Sequence, residues 1–337
     1  MSNASEPNQP YPLLVVIVNY RTSSLTIDCL RSLVTEVRSI PGTRVVVGDN
    51  ASGDNSTEEI PAAIAAFGWS EWASFVPLER NGGFAYGNNA LIRPALVEST
   101  NPPPYVLLLN PDTVVRPGAL KALVDFMDSH PEAGIAGSRL EDPDGTPQES
   151  AFRFHNLLTE LDFGWRTGFL SKLLANWAVA PPISQEICQT DWVAGASMIV
   201  RREVFEKIGL MDEAYFMYCE EMDFCLQANK AGWSCWYVPE SRVVHLVGQS
   251  SGVTDTKKPP KRLPQYWFDS RRRYFLKNYG LVYTALTDVS WASGFAAWRF
   301  RRVLQGKPDG DPPKMLTDFV MNSVFFKGGK IEDSKNF

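Results

Sequence analysis

Along the first half of the chain, apolar residues come in short unbroken runs that alternate with longer stretches of mixed apolar and polar positions. The runs 13–19, 44–49, 73–78 and 105–110 are mostly Val-, Ile- or Leu-rich and are bounded by turn residues, as strands buried on both faces are. The stretches 24–37, 58–67, 85–97 and 118–130 space their apolar residues for a helix. Thr22, Ser23 and Ser24 offer N-cap oxygens to the first of these, and His130-Pro131 ends the last. Strand alternating with helix predicts an α/β fold, a mostly parallel, doubly wound sheet with right-handed crossovers and helices on both faces.

The second half follows a different pattern. Residues 191–200 read as a strand rich in small side chains, 202–208 and 220–230 as helices, and 233–238 and 242–246 as two further strands. From Lys257 the chain becomes Pro-rich and basic, and a helix is predicted over 263–279. The run 281–300 approaches spanning length, but Asp288 interrupts it and Arg299, Arg301 and Arg302 close it. It reads as an interfacial or packing helix rather than a transmembrane one. Residues after 307 read as loop, and no internal repeat is present.

Composition adds limits. A chain of 337 residues with 44% hydrophobic and 21% charged content is an ordinary folded protein. The five cysteines, Cys29, Cys188, Cys219, Cys225 and Cys235, form no CxxC pair, which argues against a disulfide framework or a zinc site and fits a reducing cytoplasm. Residues 1–10 are polar, lack the regions of a signal peptide and read as a disordered lead. Net charge is −5, yet between Lys257 and Lys307 twelve Lys or Arg face only Asp269 and Asp288, a local +10 against −15 elsewhere. Such a block suggests an anionic partner, whether a membrane surface, a diphosphate or nucleic acid, ahead of a merely solvated helix face. Nucleic acid is disfavoured by the pI near 5.4 and by the absence of an interleaved aromatic module.

Candidate chemistry gathers where parallel strands end, because such ends converge on one edge of the sheet. Asn19, Tyr20 and Arg21 end the first strand. Asp49 ends the second, placed to accept from a nucleobase N–H, while the following Asn50, Ser52 and Ser56 read as turn and capping residues. The loop Asn81-Gly82-Gly83 opens a helix and would expose backbone N–H groups to an anion or ribose. Its glycines, at 82, 83 and 87, make neither a GxGxxG fingerprint nor a phosphate loop. Asn110-Pro111-Asp112 ends a buried run, so Asp112 is a candidate ligand for Mg2+ or Mn2+ shared with a diphosphate. Glu220, Glu221 and Asp223 crowd the first turn of a helix. Three such acids favour the helix dipole, but their mutual repulsion would also raise a pKa and poise a general base. His245, beside a Gly/Ser turn, could complete the metal shell through neutral imidazole.

Seven segments, Val16–Tyr20, Gly48–Ser52, Asn81–Phe84, Leu109–Asp112, Trp192–Gly195, Tyr218–Asp223 and His245 with Gly248 and Ser250, together resemble the family 2 inverting glycosyltransferases. The likeness is strongest to the bacterial rhamnosyltransferase-like branch, runs over about 13–280 and keeps the motifs in order. It implies a GT-A fold with a nucleotide-sugar-binding half (11–130), an acceptor-binding and catalytic half (131–256) and a basic, mainly helical C-terminal appendage (257–337). By the same likeness Asp49 binds the nucleobase, Asn81 and Gly82 lie along the nucleotide, Asp112 holds Mn2+ or Mg2+, and Glu221 is the base. Trp192 and Gly195 would shape the sugar pocket, glycine leaving room for the acceptor. Arg271, Arg272, Arg273 and Lys277 would meet an acceptor diphosphate or an anionic bilayer. Two departures stand out: the Asp-x-Asp motif keeps one carboxylate, and the base motif is Glu-Glu, leaving Glu220 and Glu221 as alternatives. The implied reaction takes a sugar from dTDP-rhamnose or a UDP-sugar to a glycan or polyprenyl-diphosphate-linked acceptor. It would serve cell-envelope or polysaccharide synthesis on the cytoplasmic side of the plasma membrane. The alternative is a degenerate protein that binds nucleotide or glycan without turnover.

Overall fold

The computed structural model describes residues 12–96, 99–246 and 260–331. The expected lead, residues 1–10, and the motif residues Gly248 and Ser250 lie outside these. The chain opens with β1 (Leu13–Asn19), α1 (Ser23–Ser39), β2 (Arg44–Asp49), α2 (Ser56–Ala66), β3 (Ala73–Pro77), α3 (Gly83–Leu96) and β4 (Tyr105–Leu109). There follow β5 (Thr113–Val115), α4 (Ala119–Ser129), β6 (Ala133–Glu141), β7 (Ala151–Phe152), α5 (Leu157–Trp165), α6 (Gly168–Leu173), β8 (Cys188–Thr190), β9 (Trp192–Val193) and β10 (Ser197–Arg201). The last elements are α7 (Arg202–Ile208), α8 (Glu220–Lys230), β11 (Ser234–His245), α9 (Gln265–Leu304), α10 (Met315–Met321) and α11 (Val324–Lys327).

Nine strands form one mixed sheet in the order β3-β2-β1-β4-β10-β6-β11-β5, with β8 added on β11. The first four are parallel, and the unbroken apolar runs of β1 and β4 are explained by burial on both sides, whereas β3, expected as a buried strand, is the edge strand and largely exposed beyond Ala73. Leu13, Val15 and Ile17 pack into one core with Leu107 and Leu109, while Leu14 and Val16 pack into a second with Val106 and Leu108. Alternate side chains of a strand point to opposite faces, so one run serves two helical layers. Strand β10 inserts antiparallel between β4 and β6, with Ser197 opposite Leu109. The loop before it is thereby brought to the C-terminal end of β4, where the Asn110 N–H donates to Ala196 O at 3.0 Å.

Three expectations are corrected here. The two strands expected at 233–238 and 242–246 are one strand, β11, whose pairing with β6 shifts register between Val238 and Arg242. The expected loop after 307 contains α10 and α11. The basic block is largely neutralised by acids from distant segments: Arg271 pairs with Glu160, Arg273 and Lys277 with Asp212, and Arg262 with Asp318. A charge count along the sequence could not include these partners. Helix α9 is two helical segments meeting at Gly280, where φ is 80°, a value glycine adopts without penalty. No helix among the described residues is long and apolar enough to cross a membrane.

Candidate active site

The strand ends are cross-tied. Asn19 Nδ2 donates to Asp49 Oδ1 at 2.7 Å, and Asn19 Oδ1 accepts from the hydroxyls of Thr22 and Thr26. The Ser52 backbone N–H and hydroxyl both donate to the Asp49 carboxylate. Asn19 is fully buried and shapes the end of β1 from within. Asp49 is buried in the same knot, with both oxygens already accepting. Tyr20 and Arg21 stand further out, the Arg21 guanidinium 5.1 Å from the Tyr20 ring centre. Asn50 has a larger part than turn formation: its Nδ2 donates to Asn81 Oδ1 and to Gly83 O, and its Oδ1 accepts from the Gly82 N–H. The Gly-rich loop is thus anchored to the end of β2.

That loop also meets the catalytic side. The Phe84 N–H donates to Phe216 O at 2.9 Å. Gly83 has φ +84°, and a Cβ there would fall 1.8 Å from Phe216 O, so only glycine fits. A Cβ on Gly195 would stand 2.9 Å from the tip of the Phe84 ring. The space beside Gly195 is therefore filled by Phe84, which corrects the expectation that it is left for an acceptor.

Asp112 sits just beyond β4, 3% exposed, with His245 Nε2 3.6 Å from its Oδ1. The pairing of β11 with β5 sets His245 opposite Thr113, and the Leu246 N–H donates to Asp112 O. One carboxylate and one imidazole suit a divalent cation that takes its remaining ligands from diphosphate and water. No group of three His, Cys, Asp or Glu poised to hold a metal occurs among the described residues.

Glu220 and Glu221 begin α8 after two consecutive left-handed residues, Tyr218 (φ 71°) and Cys219 (φ 67°). Such backbone costs energy and persists where the surroundings hold it; here the Ser270 hydroxyl of α9 secures Met217 O at 2.9 Å. The turn separates the acids. Glu221 lines a cavity of about 700 Å³ together with Trp192, Tyr218, Trp267 and Trp291. Its carboxyl is pushed up by burial, against the pull of its own N–H and that of Gly195, and its Oε2 has no hydrogen-bond partner. Glu220 is 3% exposed and lies away from the cavity, its carboxyl held well above the usual range by burial and then by the charge of Glu221. Asp223 is corrected: it accepts from Lys277 Nζ at 2.6 Å and Asn278 Nδ2 at 2.7 Å and clamps α8 to α9. At about 100° per residue, Asp223 leaves the helix some 200° from Glu221.

Glu220 carries a stability prediction. A carboxyl whose pKa is raised by folding favours the native state at low pH and loses that contribution as pH rises through the interval between its ordinary and raised values. Glu220→Gln therefore unfolds at higher urea concentration than the wild type at pH 8, and the difference shrinks toward pH 4.

Of the expected acceptor contacts, Arg271 reaches the cavity wall, but its guanidinium is committed to Glu160 (2.6 Å) and Asp288 (2.6 Å). Arg272 is a correction: it is buried on Asp269 and Asn322 O and does not line the cavity. Lys277 is likewise held by Asp212 and Asp223. His155 and Glu160, which belong to no motif, also line the cavity, 3.3 Å apart. The available signal was Asn156 before Leu157-Leu158, which forms a reciprocal cap with Thr159 and starts α5.

A family model described as glycosyltransferase like family 2 matches residues 10–259. The chain is 34% identical over 156 residues to an N-acetylglucosaminyl-diphospho-decaprenol L-rhamnosyltransferase of Mycobacterium tuberculosis, covering 44% of this chain and 48% of that one. It is 27% identical over 167 residues to the rhamnosyltransferase WbbL of Escherichia coli, covering 49% and 61%. The match thus spans about half the length of these curated relatives. Among solved structures, GalNAc-T7 with UDP, GalNAc and Mn2+ superposes with a TM-score of 0.57 at 16% identity, over 96% of this chain and 56% of that one. The mannosyltransferase PcManGT of Pyrobaculum calidifontis with GDP-Man and Mn2+ gives 0.52 at 15% identity, over 97% and 90%. At such identities the likeness shows the fold alone, which is GT-A.

Proposed function

Since the chain belongs to glycosyltransferase family 2, we propose that it is an inverting transferase that moves a sugar from a nucleoside diphosphate to a hydroxyl of a glycan or lipid-linked glycan. Rhamnose is the favoured sugar, in keeping with the named activities of two relatives. The observation that carries the reading is Glu221: a cavity-lining carboxyl with one unpartnered oxygen, among tryptophan faces on which sugars stack.

In this reading residues 11–130 receive the donor and 131–256 the acceptor, and α9 and α10 of the 257–337 appendage close the acceptor cavity from behind. Asp49, Asn81, Gly82 and Gly83 line the nucleotide. Asp112 and His245 would hold Mn2+ or Mg2+, which when bound supplies positive charge to the departing nucleoside diphosphate. Glu221 takes the proton of the acceptor hydroxyl as its oxygen attacks the anomeric carbon, and the bond to the diphosphate breaks with its electron pair. The Gly195 N–H favours the charged form of this carboxyl, against the effect of burial. Trp192, its indole N–H fixed on Arg153 O and its ring stacked on Phe152, offers a rigid face to the acceptor sugar.

The test is a panel of dTDP- and UDP-sugars with Mn2+ or Mg2+ and polyprenyl-diphosphate-linked acceptors. One donor releases its nucleoside diphosphate, and Asp112→Asn loses that release together with most of the metal dependence. Nucleotide binding without turnover across the whole panel would instead indicate a degenerate binding protein.

A further inference from the structure

The second segment of α9, residues 281–304, runs about 36 Å at about 1.5 Å per residue. Its buried side closes the acceptor cavity through Trp291 and packs Phe295 in the core. Its outer side is unusual. Exposed positions include Val282, Leu286, Val289, Phe300, Val303 and Leu304, and among all its exposed positions the sole polar side chain is Ser293. At about 100° per residue the six fall within an arc of about 100°. A helix on the surface of a water-soluble domain would carry its charges there. The charged residues of this segment, Asp288, Arg299, Arg301 and Arg302, all point elsewhere and are paired within the fold, Arg301 on the carbonyls of Trp165 and Arg166.

Cations mark both ends of the strip. A Cβ on Gly329 would lie 3.1 Å from the Leu281 side chain, so the turn after α11 abuts the beginning of the strip. That turn brings the exposed Lys327 and Lys330, with the exposed Phe325 and Phe326 beside them. Exposed Lys307 follows the far end, its ammonium 5.7 Å from the Trp298 ring centre. Apolar side chains are few in the segments outside the described residues: Val97, Val247 and Val253, Phe337, and Met1, Ala4 and Tyr11. A second copy laid along the strip in either direction would set the terminal lysines of one chain against lysines of the other. Anionic headgroups flanking a hydrocarbon surface match the order cation, apolar strip, cation.

We infer that residues 281–304 lie flat on an anionic lipid bilayer, Val282, Leu286, Val289, Phe300 and Leu304 entering the acyl boundary and Lys307, Lys327 and Lys330 meeting the phosphates. The inference stands apart from the transferase reading, because it needs neither donor nor base. It differs from an attachment through the basic block, whose arginines are consumed inside the fold.

The full chain is sedimented with vesicles of equimolar phosphatidylglycerol and phosphatidylcholine, and with pure phosphatidylcholine. Wild type pellets with the anionic vesicles and stays partly bound in high salt, because burial of apolar surface is not screened. Leu286→Glu with Phe300→Glu remains in the supernatant while keeping the wild-type melting temperature and the wild-type release of nucleoside diphosphate. Changing Lys307, Lys327 and Lys330 together to Gln weakens binding roughly 100-fold. Wild type that fails to pellet, or a double variant that still pellets, overturns the inference. A wild-type dimer that the double variant converts to monomer overturns it as well, assigning the strip to a second copy.

Discussion

Glu221→Gln is expected to lower transfer by a factor of about 10² to 10⁴, the usual contribution of a positioned general base, with nucleotide affinity and melting temperature close to wild type. The amide keeps the shape of the side chain and can still face the cavity, but it cannot take a proton. The loss falls in kcat rather than in the donor KM, because the donor's nucleotide is assigned to strand ends on the other side of the Gly-rich loop. The pH dependence has a defined sign. Burial raises the Glu221 pKa above the usual carboxylate value, so the wild-type rate climbs as pH rises through that raised value and then levels. Glu221→Gln flattens that limb. A variant that retains wild-type kcat at pH 8 would remove Glu221 from the chemistry.

Arg271→Met is expected to be the most damaging single change to the fold, costing about 3–5 kcal/mol. Its guanidinium is bound by Glu160 and Asp288, whose side chains are 3% and 2% exposed, and Asp288 in turn accepts from the Val324 N–H at the start of α11. Removing the cation strands two buried carboxylates and loosens α5, α9 and α11 together. Burial alone would raise the Glu160 pKa, yet Arg271 and His155 hold it below the ordinary carboxylate range. Its contribution is therefore present above the ordinary carboxylate pKa and is lost as pH falls through the depressed value. Urea unfolding of wild type and Arg271→Met at pH 7 and pH 3 checks both statements: the gap is wide at pH 7 and narrows at pH 3. A gap that is equal at the two values would mean that the ion cluster does not stabilise the fold.

Much of the sheet was legible because β1, β2 and β4 are apolar on both faces, a pattern that few other environments require. Strand β11 was read as two because Pro239, Glu240 and Ser241 break its apolar run, and the sheet accommodates them as a shift in register instead. The short helices α10 and α11 were missed because Pro312-Pro313 and Gly328-Gly329 flank them closely and leave too few residues to show a period. At the site, the strand ends expected to converge do bring Asp112 beside His245, but spacing could not separate neighbours in sequence by the direction they face. Glu220, Glu221 and Asp223 look equivalent as a string, whereas in the fold one is buried, one lines the cavity and one ties α8 to Lys277. His155 and Glu160 had no motif, because their place at the cavity depends on α5 meeting α9, a contact that no local pattern encodes.

Direct displacement with Glu221 as base determines the anomeric configuration of the product. Once the panel identifies the donor, the one-bond C–H coupling of the new linkage is read by NMR. The expected configuration is opposite to that of the sugar in the donor. A product that retains the donor's configuration would contradict it, because one displacement assisted by one base can only invert.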